Sequence, residues 1–351
     1  MTEPSQLWIT VLAGGVGSRF WPVSTPARPK QLLPLASEQP LICDTVDRVL
    51  TLVPKERIRI LTGAHLTDPI LQAVPALGPE NLMVEPQARG TGPVLTWAAA
   101  HIARHDPNAV IVSLHSDHVI SPNEAFQQLL LAAARCAVTH QRLLTIGVTP
   151  TRPETGYGYV KPGARLDTDF DAYEVQQFKE KPDREMATQY IQRGYLWNSG
   201  IFVWPARLFL DEVARHATAI APHLPLAEAG DAQAFFAQVP NISVDEAVLE
   251  RSDKVAVMPA TFLWDDVGAW DAVGRTRRQD ADGNVAVGEV SLVEAHNCIA
   301  WSDHGPVVLY GTEDLVVVRA NDITFVAPRD RTPDLKRLIE QLPPALREPK
   351  P

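Results

Sequence analysis

Three glycines, Gly14, Gly15 and Gly17, stand at the end of the apolar run LWITVL, with Arg19 and Lys30 shortly after them. Glycines at a strand exit let backbone N–H groups approach a polyphosphate with no Cβ in the way. Two cations beside such a turn suit a nucleoside triphosphate attacked at its α-phosphorus, where the reacting oxygens and the departing pyrophosphate both carry charge. The pattern is neither GxGxxG nor the GK[ST] of a P-loop. A tight turn closing a βα unit would use the same glycines and leave Arg19 and Lys30 as surface cations. Two carboxylates from far along the chain complement them. Asp117 follows the apolar run AVIVSL, so its side chain is expected at the carboxyl end of a strand, on the edge where the glycine turn also lies; Asp266 comes from WDDVGAW. Together they would suit Mg²⁺, which uses one or two carboxylates with phosphate oxygens and water. Taken singly, each reads more simply as a cap, Asp117 before Pro122 and Asp266 at the start of the following helix.

The elements that must position these residues alternate. Strands are expected over Trp8 to Leu12, Arg57 to Leu61, Asn81 to Val84, Ala109 to Leu114 and Leu143 to Val148, with helices over Leu41 to Leu52, Thr91 to Arg104 and Asn123 to Thr139, where apolar residues fall at i, i+3 and i+4. This is the rhythm of an open α/β sheet whose ligands sit at strand carboxyl ends. Longer strands follow, Tyr157 to Lys161, Tyr173 to Glu180 and Leu196 to Trp204, then helical segments from Pro205 to Glu250. Past the DADGN turn the expectation is a compact β module of close, short strands: Val285 to Val293, Cys298 to Trp301, Val307 to Tyr310, Leu315 to Arg319 and Ile323 to Val326. A short left-handed β-helix is one form it can take. A helix over Thr332 to Gln341 closes it. The divisions expected are a nucleotidyltransferase domain over 1–278, the β module with its final helix over 279–342, and a Pro-rich, charged, disordered tail over 343–351.

With 351 residues, 45% of them hydrophobic, the chain can bury a large core. Its net charge of −10 and pI near 5.5 provide no general field for nucleic acid, so phosphate binding must be local. Cys43, Cys136 and Cys298 are too scattered for a disulfide framework or a CxxC metal site, which fits a reduced compartment. With no leader-like start and no stretch near the roughly 20 apolar residues that span a bilayer, the chain reads as soluble and cytoplasmic, without membrane partners.

The segment LAGGVGSRFWPVSTPARPKQLLPL closely resembles the signature loop of the mannose-1-phosphate guanylyltransferases, LAGGxGTRLWPLSRxxxPKQFLPL. In the family's order follow VEPQARGTGPV, LHSDHVI, GVTPTRPETGYGYV, FKEKPD, YLWNSGIFVW and FLWDDVGAWDAV, together covering residues from about 9 to about 275, and GTEDLVVVRANDITFVAPRDRTPDLKRLIEQL resembles the family's ending. The resemblance implies a GT-A-like Rossmann nucleotidyltransferase domain with a mixed, mostly parallel sheet, a divalent cation (Mg²⁺ or another) and GTP. There are departures. Ser18 stands for the usual Thr, His115 and Ser116 replace Pro and Ala of LPADH, and Asp265 takes a position often held by Ser. Gly90 and Gly92 replace Asn and Ala of RNTAP, close to where guanine should bind.

Carried over residue by residue, the resemblance implies nucleotide binding by Leu12, Ala13, Gly14, Gly15, Gly17, Ser18, Glu85 and Asp117, with Glu85 accepting from guanine N1 and N2. It implies sugar binding by Gly158, Glu180, Lys181, Asn198 and Asp266, where Lys181 grips the sugar phosphate and Gly158 admits the pyranose. Asp117 and Asp266 would hold the metal, and Arg19, Lys30 and Lys181 would be catalytic. The implied reaction is direct attack of the mannose 1-phosphate oxygen on the GTP α-phosphorus, yielding GDP-mannose and pyrophosphate with no protein nucleophile. Positioning and charge neutralisation dominate such a step. Other readings are a nucleotidylyltransferase for a different sugar phosphate or NTP, and a non-catalytic sugar-nucleotide sensor, which should have lost a charge dedicated to the transition state. At this length there is no room for a cupin-type isomerase domain, so a monofunctional transferase is expected, and the exposed strands of the β module suggest a homodimer.

Overall fold

A computed structural model describes residues 6–15, 17–166 and 169–347, the side chain of Ser18 excepted. Eleven strands precede the C-terminal module: β1 (Leu7–Leu12), β2 (Ile58–Gly63), β3 (Leu82–Glu85), β4 (Val110–His115), β5 (Val119–Ser121), β6 (Leu143–Val148), β7 (Gly158–Arg165), β8 (Tyr173–Glu180), β9 (Leu196–Pro205), β10 (Val255–Pro259) and β11 (Leu263–Asp265). Nine form one sheet in the order β3-β2-β1-β4-β9-β6-β10-β8-β7. The pairs β3–β2, β2–β1, β1–β4 and β6–β10 are parallel. Antiparallel β9 inserts between β4 and β6, and β7 and β8 close the far edge as antiparallel strands. The sheet is therefore mixed, with its parallel part concentrated where the sequence alternates strand and helix.

Helices α1 (Leu41–Leu50), α2 (Thr67–Ala73), α3 (Thr91–His105) and α4 (Asn123–His140) connect the first strands. One core packs α3 and Phe209, Phe235 and Phe236 against the sheet, and another packs α1, α2 and α4 on the opposite face. The parallel strands run almost uniformly buried, as strands covered on both faces must. Helix α2 has no counterpart among the sequence expectations.

The C-terminal module stacks β12 (Val285–Val287), β14 (Ile299–Ser302) and β16 (Leu315–Ala320) in parallel, and beside them β13 (Val290–Val293) with β15 (Val307–Tyr310); β17 (Ile323–Pro328) returns antiparallel to β16. Successive parallel rungs of this kind make a short β-helix. The single strand expected over Val285 to Val293 is broken at Gly288. Its φ of +82° turns the chain, and a Cβ there would lie 2.0 Å from the Ser302 carbonyl oxygen. The final helix is a 3₁₀ segment, Arg329–Asp334, followed by an α-helix, Leu335–Gln341. Where a disordered tail is expected, the one-turn helix Pro344–Arg347 packs back on the molecule; 348–351 lie outside the described residues.

The module is fastened beneath the glycine turn. Phe20, Trp21 and Val23 share a core with Trp270, Val285, Trp301, Phe325 and Leu335. Trp21 Nε1 donates to the Leu346 carbonyl at 2.9 Å, and Asn321 Nδ2 to the Pro22 carbonyl at 2.8 Å. Among the described residues no helix is long and apolar enough to cross a membrane.

Candidate active site

The register Leu12↔His115 and the bond from Ser116 N to the Leu12 carbonyl (3.0 Å) set the glycine turn beside the residues leading to Asp117. Strand β3 ends at the same edge, so Glu85 comes up to Gly14, where an added Cβ would meet Glu85 Oε1 at 3.5 Å. Burial raises the Glu85 carboxyl. A cavity of about 280 Å³ is lined by Leu12, Gly14, Gly15, Glu85, Thr91 and Asp117, among others. Ala13 lies beneath it, its carbonyl accepting from Gln31 Nε2 (3.2 Å) and Thr62 Oγ1 (3.1 Å). Gly17 is needed for close approach: φ is +65°, and a Cβ would fall 2.2 Å from Lys30 Cβ. Ser18 belongs to a 3₁₀ turn, but its side chain lies outside the described residues.

Asp117 and Asp266 are brought together by a two-stranded ribbon. β5 and β11 pair antiparallel with Asp265 opposite Val119, so Asp117, just before β5, faces Asp266, just after β11. Lys30 links them. Its Nζ donates to Asp117 Oδ2 at 2.8 Å and to the Asp266 carbonyl, and its side chain is only 9% exposed. Burial pushes the Asp117 carboxyl up, but Lys30, His118 and His115 outweigh it and hold it at about 2. Burial raises Asp266, whose Oδ1 accepts from the Tyr157 hydroxyl. Lys30 does not line the cavities around this site, so its cation is directed at this carboxylate junction more than at open solvent.

The junction fits a divalent cation. Among the described residues, one oxygen of each carboxylate, Asp117 Oδ1 and Asp266 Oδ2, has no hydrogen-bond donor, and Asp117 is held ionised. A second grouping, His115, Asp117 and His118, places its ligand atoms within 4.8 Å of one another. His118 Nδ1, however, accepts from Trp264 Nε1 at 3.1 Å, which leaves the proton on Nε2 and removes that lone pair from metal binding. Asp265 is committed elsewhere. Its carboxylate accepts from Val267 N (2.8 Å) and Arg275 Nε (2.9 Å), and so holds the left-handed turn at Val267, φ +47°, a conformation costly for a β-branched residue.

A cavity of about 290 Å³ is lined by Gly158, Glu180, Lys181, Asn198 and Asp266, with His115, Thr91 and Asp245. It meets the first cavity at Thr91 and His115. Asn198 arrives here because β9 runs antiparallel, starting at the edge where its neighbours end. Lys181 sits at φ +45° and its Nζ contacts Glu180 Oε1 at 2.8 Å. Gly158 makes room for Glu180, whose Oε2 would be 2.6 Å from a Cβ there. Arg19 lies apart from Lys30, on a third cavity of about 250 Å³ with Arg152, Tyr157 and Asp266. Asp245, Thr91, Tyr157 and His118 are absent from the sequence-derived set. The motifs TGYGYV around Tyr157, VEPQARGTGPV around Thr91 and LHSDHVI around His118 carry a signal that could find those three; Asp245 lies in an ordinary helical pattern.

The nucleotidyl transferase family model matches residues 9–283, and the model of the MannoseP isomerase/GMP-like β-helix domain matches 288–342. The chain is 34% identical to mannose-1-phosphate guanylyltransferase of Escherichia coli K12 over 359 residues, 96% of this chain and 74% of that one. It is 33% identical to alginate biosynthesis protein AlgA of Pseudomonas aeruginosa over 344 residues, 95% of this chain and 71% of that one. A crystal structure from Thermus thermophilus, described as a mannose-1-phosphate geranyltransferase, superposes with a TM-score of 0.87 at 30% identity, covering 96% of this chain and 99% of the other. By sequence over both of its parts and by fold over nearly its full length, the chain belongs to the nucleotidyl transferase family, among the mannose-1-phosphate guanylyltransferases.

Proposed function

We propose that this chain transfers GMP from GTP to mannose 1-phosphate, giving GDP-mannose and pyrophosphate, with residues 1–278 as the catalytic unit and 279–342 as its supporting β module. The observation that carries this reading is the meeting of two cavities at Thr91 and His115, one floored by the glycine turn and one lined by Glu180, Lys181 and Asn198, with the Asp117–Lys30–Asp266 junction beside them. GTP lies over Gly14 and Gly15 with Glu85 at the guanine; mannose 1-phosphate lies against Glu180 and Asn198 with its phosphate towards Lys181.

A phosphate monoester is already its own nucleophile, so the protein's part is alignment and charge. Lys181 draws the incoming phosphate, and Arg19 faces the departing pyrophosphate. Lys30 spends two of its three N–H donors on Asp117 and Asp266, leaving one for a phosphate oxygen. Asp117 and Asp266 would hold Mg²⁺ or another divalent ion, which when bound neutralises the triphosphate. The enzyme is proposed to be cytoplasmic and homodimeric, pairing through the module's exposed Val293, Val308 and Tyr310. Pyrophosphate release, measured with GTP against the other NTPs and mannose 1-phosphate against other sugar 1-phosphates, tests the reading; it is abandoned if GTP with mannose 1-phosphate is not the preferred pair, or if chelation leaves turnover intact.

A further inference from the structure

We infer that Asp245 receives a hydroxyl of the bound sugar, and that the nucleotide turn at Arg89–Gly92 holds it in place; this rests on the mannose 1-phosphate reading. Asp245 opens a π-helical turn, Asp245–Leu249, the kind of irregularity that re-aims side chains and gathers at functional sites. Its side chain faces the sugar cavity alongside Glu180, Lys181 and Asn198. Asn198 is largely spent. Its Nδ2 donates to Asp245 Oδ1 at 2.9 Å, and its Oδ1 accepts from Thr145 Oγ1 at 2.7 Å and from Gly200 N at 3.3 Å. Asp245 brings a second carboxylate oxygen to which no other described residue donates. Burial and the Glu180 carboxylate push this acid up to about 7, with its own backbone N–H, Asn198 Nδ2 and the Lys181 ammonium drawing it only partly back, so its second oxygen lacks the donor that a sugar hydroxyl would supply.

The placement of Asp245 is fixed from the nucleotide side. Gly92 N donates to the Ile242 carbonyl at 3.0 Å, Ile242 N to the Arg89 carbonyl at 3.1 Å, and Val244 N to Thr91 Oγ1 at 2.9 Å. Gly90, at φ +78°, and Gly92 permit this stitch: a Cβ would fall 2.7 Å and 3.0 Å, respectively, from the Ile242 carbonyl oxygen. The two glycines that depart from the family pattern near the base thus seat the segment leading to Asp245. Thr91 touches both cavities.

The test pairs Asp245→Asn with mannose 1-phosphate and its singly deoxygenated analogues. In the wild-type enzyme one analogue should suffer a markedly higher KM. In Asp245→Asn the KM for mannose 1-phosphate should rise about 10- to 100-fold, as loss of a charged hydrogen bond implies, with the KM for GTP unchanged, and that one analogue should lose nothing further. A uniform loss across all analogues, or no loss, overturns the inference. The wild type gives an independent arm should the variant not fold. Between pH 6 and 8 the affinity for mannose 1-phosphate, relative to the sensitive analogue, should strengthen as the acid ionises, since both ligands carry the same phosphate; a constant ratio overturns it. If wild-type enzyme ignores mannose 1-phosphate altogether, the proposed function falls first and this inference with it; if it turns that substrate over yet fails either arm, only the role of Asp245 falls.

Discussion

Replacing Lys30 by Met removes one charge and little else, because the unbranched stem keeps its place against Gly17. The consequences can be worked from the structure. Held at about 2 rather than the 3.8 of a free aspartate, the Asp117 carboxylate contributes on the order of 2 kcal/mol to folding at neutral pH. Its folded value is depressed, so this contribution is complete above about pH 4 and fades as the pH falls towards 2. Lys30→Met should therefore unfold at least a few degrees lower than wild type at pH 7, with a deficit at pH 5 no larger than that, because the burial that Lys30 outweighs then raises the carboxyl. Catalysis should fall further. With its third N–H on a phosphate oxygen, as proposed, Lys30 has the standing of an oxyanion donor, whose removal costs about 100- to 1000-fold in kcat. Pyrophosphate release at saturating substrates measures kcat, and thermal unfolding at the two pH values measures the carboxylate. A kcat within a few-fold of wild type, or a loss fully accounted for by unfolded protein, would refute the assignment of Lys30 to the chemistry.

Asp245→Asn should raise stability while impairing sugar binding. The acid's folded value, about 7, lies above its unfolded one, so the unfolded chain binds fewer protons between pH 4 and 7 and stability is lost as the pH rises through that window. Asn, which never ionises, should recover on the order of 4 kcal/mol at pH 8 and nothing at pH 4, read by denaturant melts. Gly90→Ala forces a left-handed alanine against the Ile242 carbonyl; the KM for the sugar phosphate should rise although the mutation lies on the nucleotide side, and an effect confined to GTP would deny the stitch. Asp265→Ala frees Val267 N and Arg275, so kcat should drop at least 10-fold through a displaced Asp266, with the circular dichroism spectrum unchanged.

Much of this was legible along the chain. The apolar runs that became β1, β4 and β6 are buried on both faces, so composition alone marks them, and a strand ending in glycines or in Asp117 announces the edge at which ligands gather. Helix α2 escaped because Pro69 within TDPILQA reads as a breaker, although in the first turn of a helix proline costs little. Gly288 looked like an ordinary strand residue; only the carbonyl of Ser302 against it shows why the chain must turn there. Lys30 is recognisable as a site cation, but its commitment to Asp117 depends on the β5–β11 pairing, which no local pattern encodes. Asp245 was invisible for a similar reason. SVDEAVLE carries helical spacing, and the π register that turns the carboxylate inward arises from contacts with residues more than a hundred positions earlier.

The anchoring of Trp21 and Pro22 to Leu346 and Asn321 has a consequence in time. Translation delivers the glycine turn long before part of its floor. Leu33, Leu41 and Trp270 give Phe20, Trp21 and Val23 an early bed, but Val285, Trp301, Phe325 and Leu335 reach them only after every strand of the main sheet has been made, so a nascent chain already holding that sheet still supports the turn incompletely. Changes at these four module residues reach the turn from a distance, through packing alone.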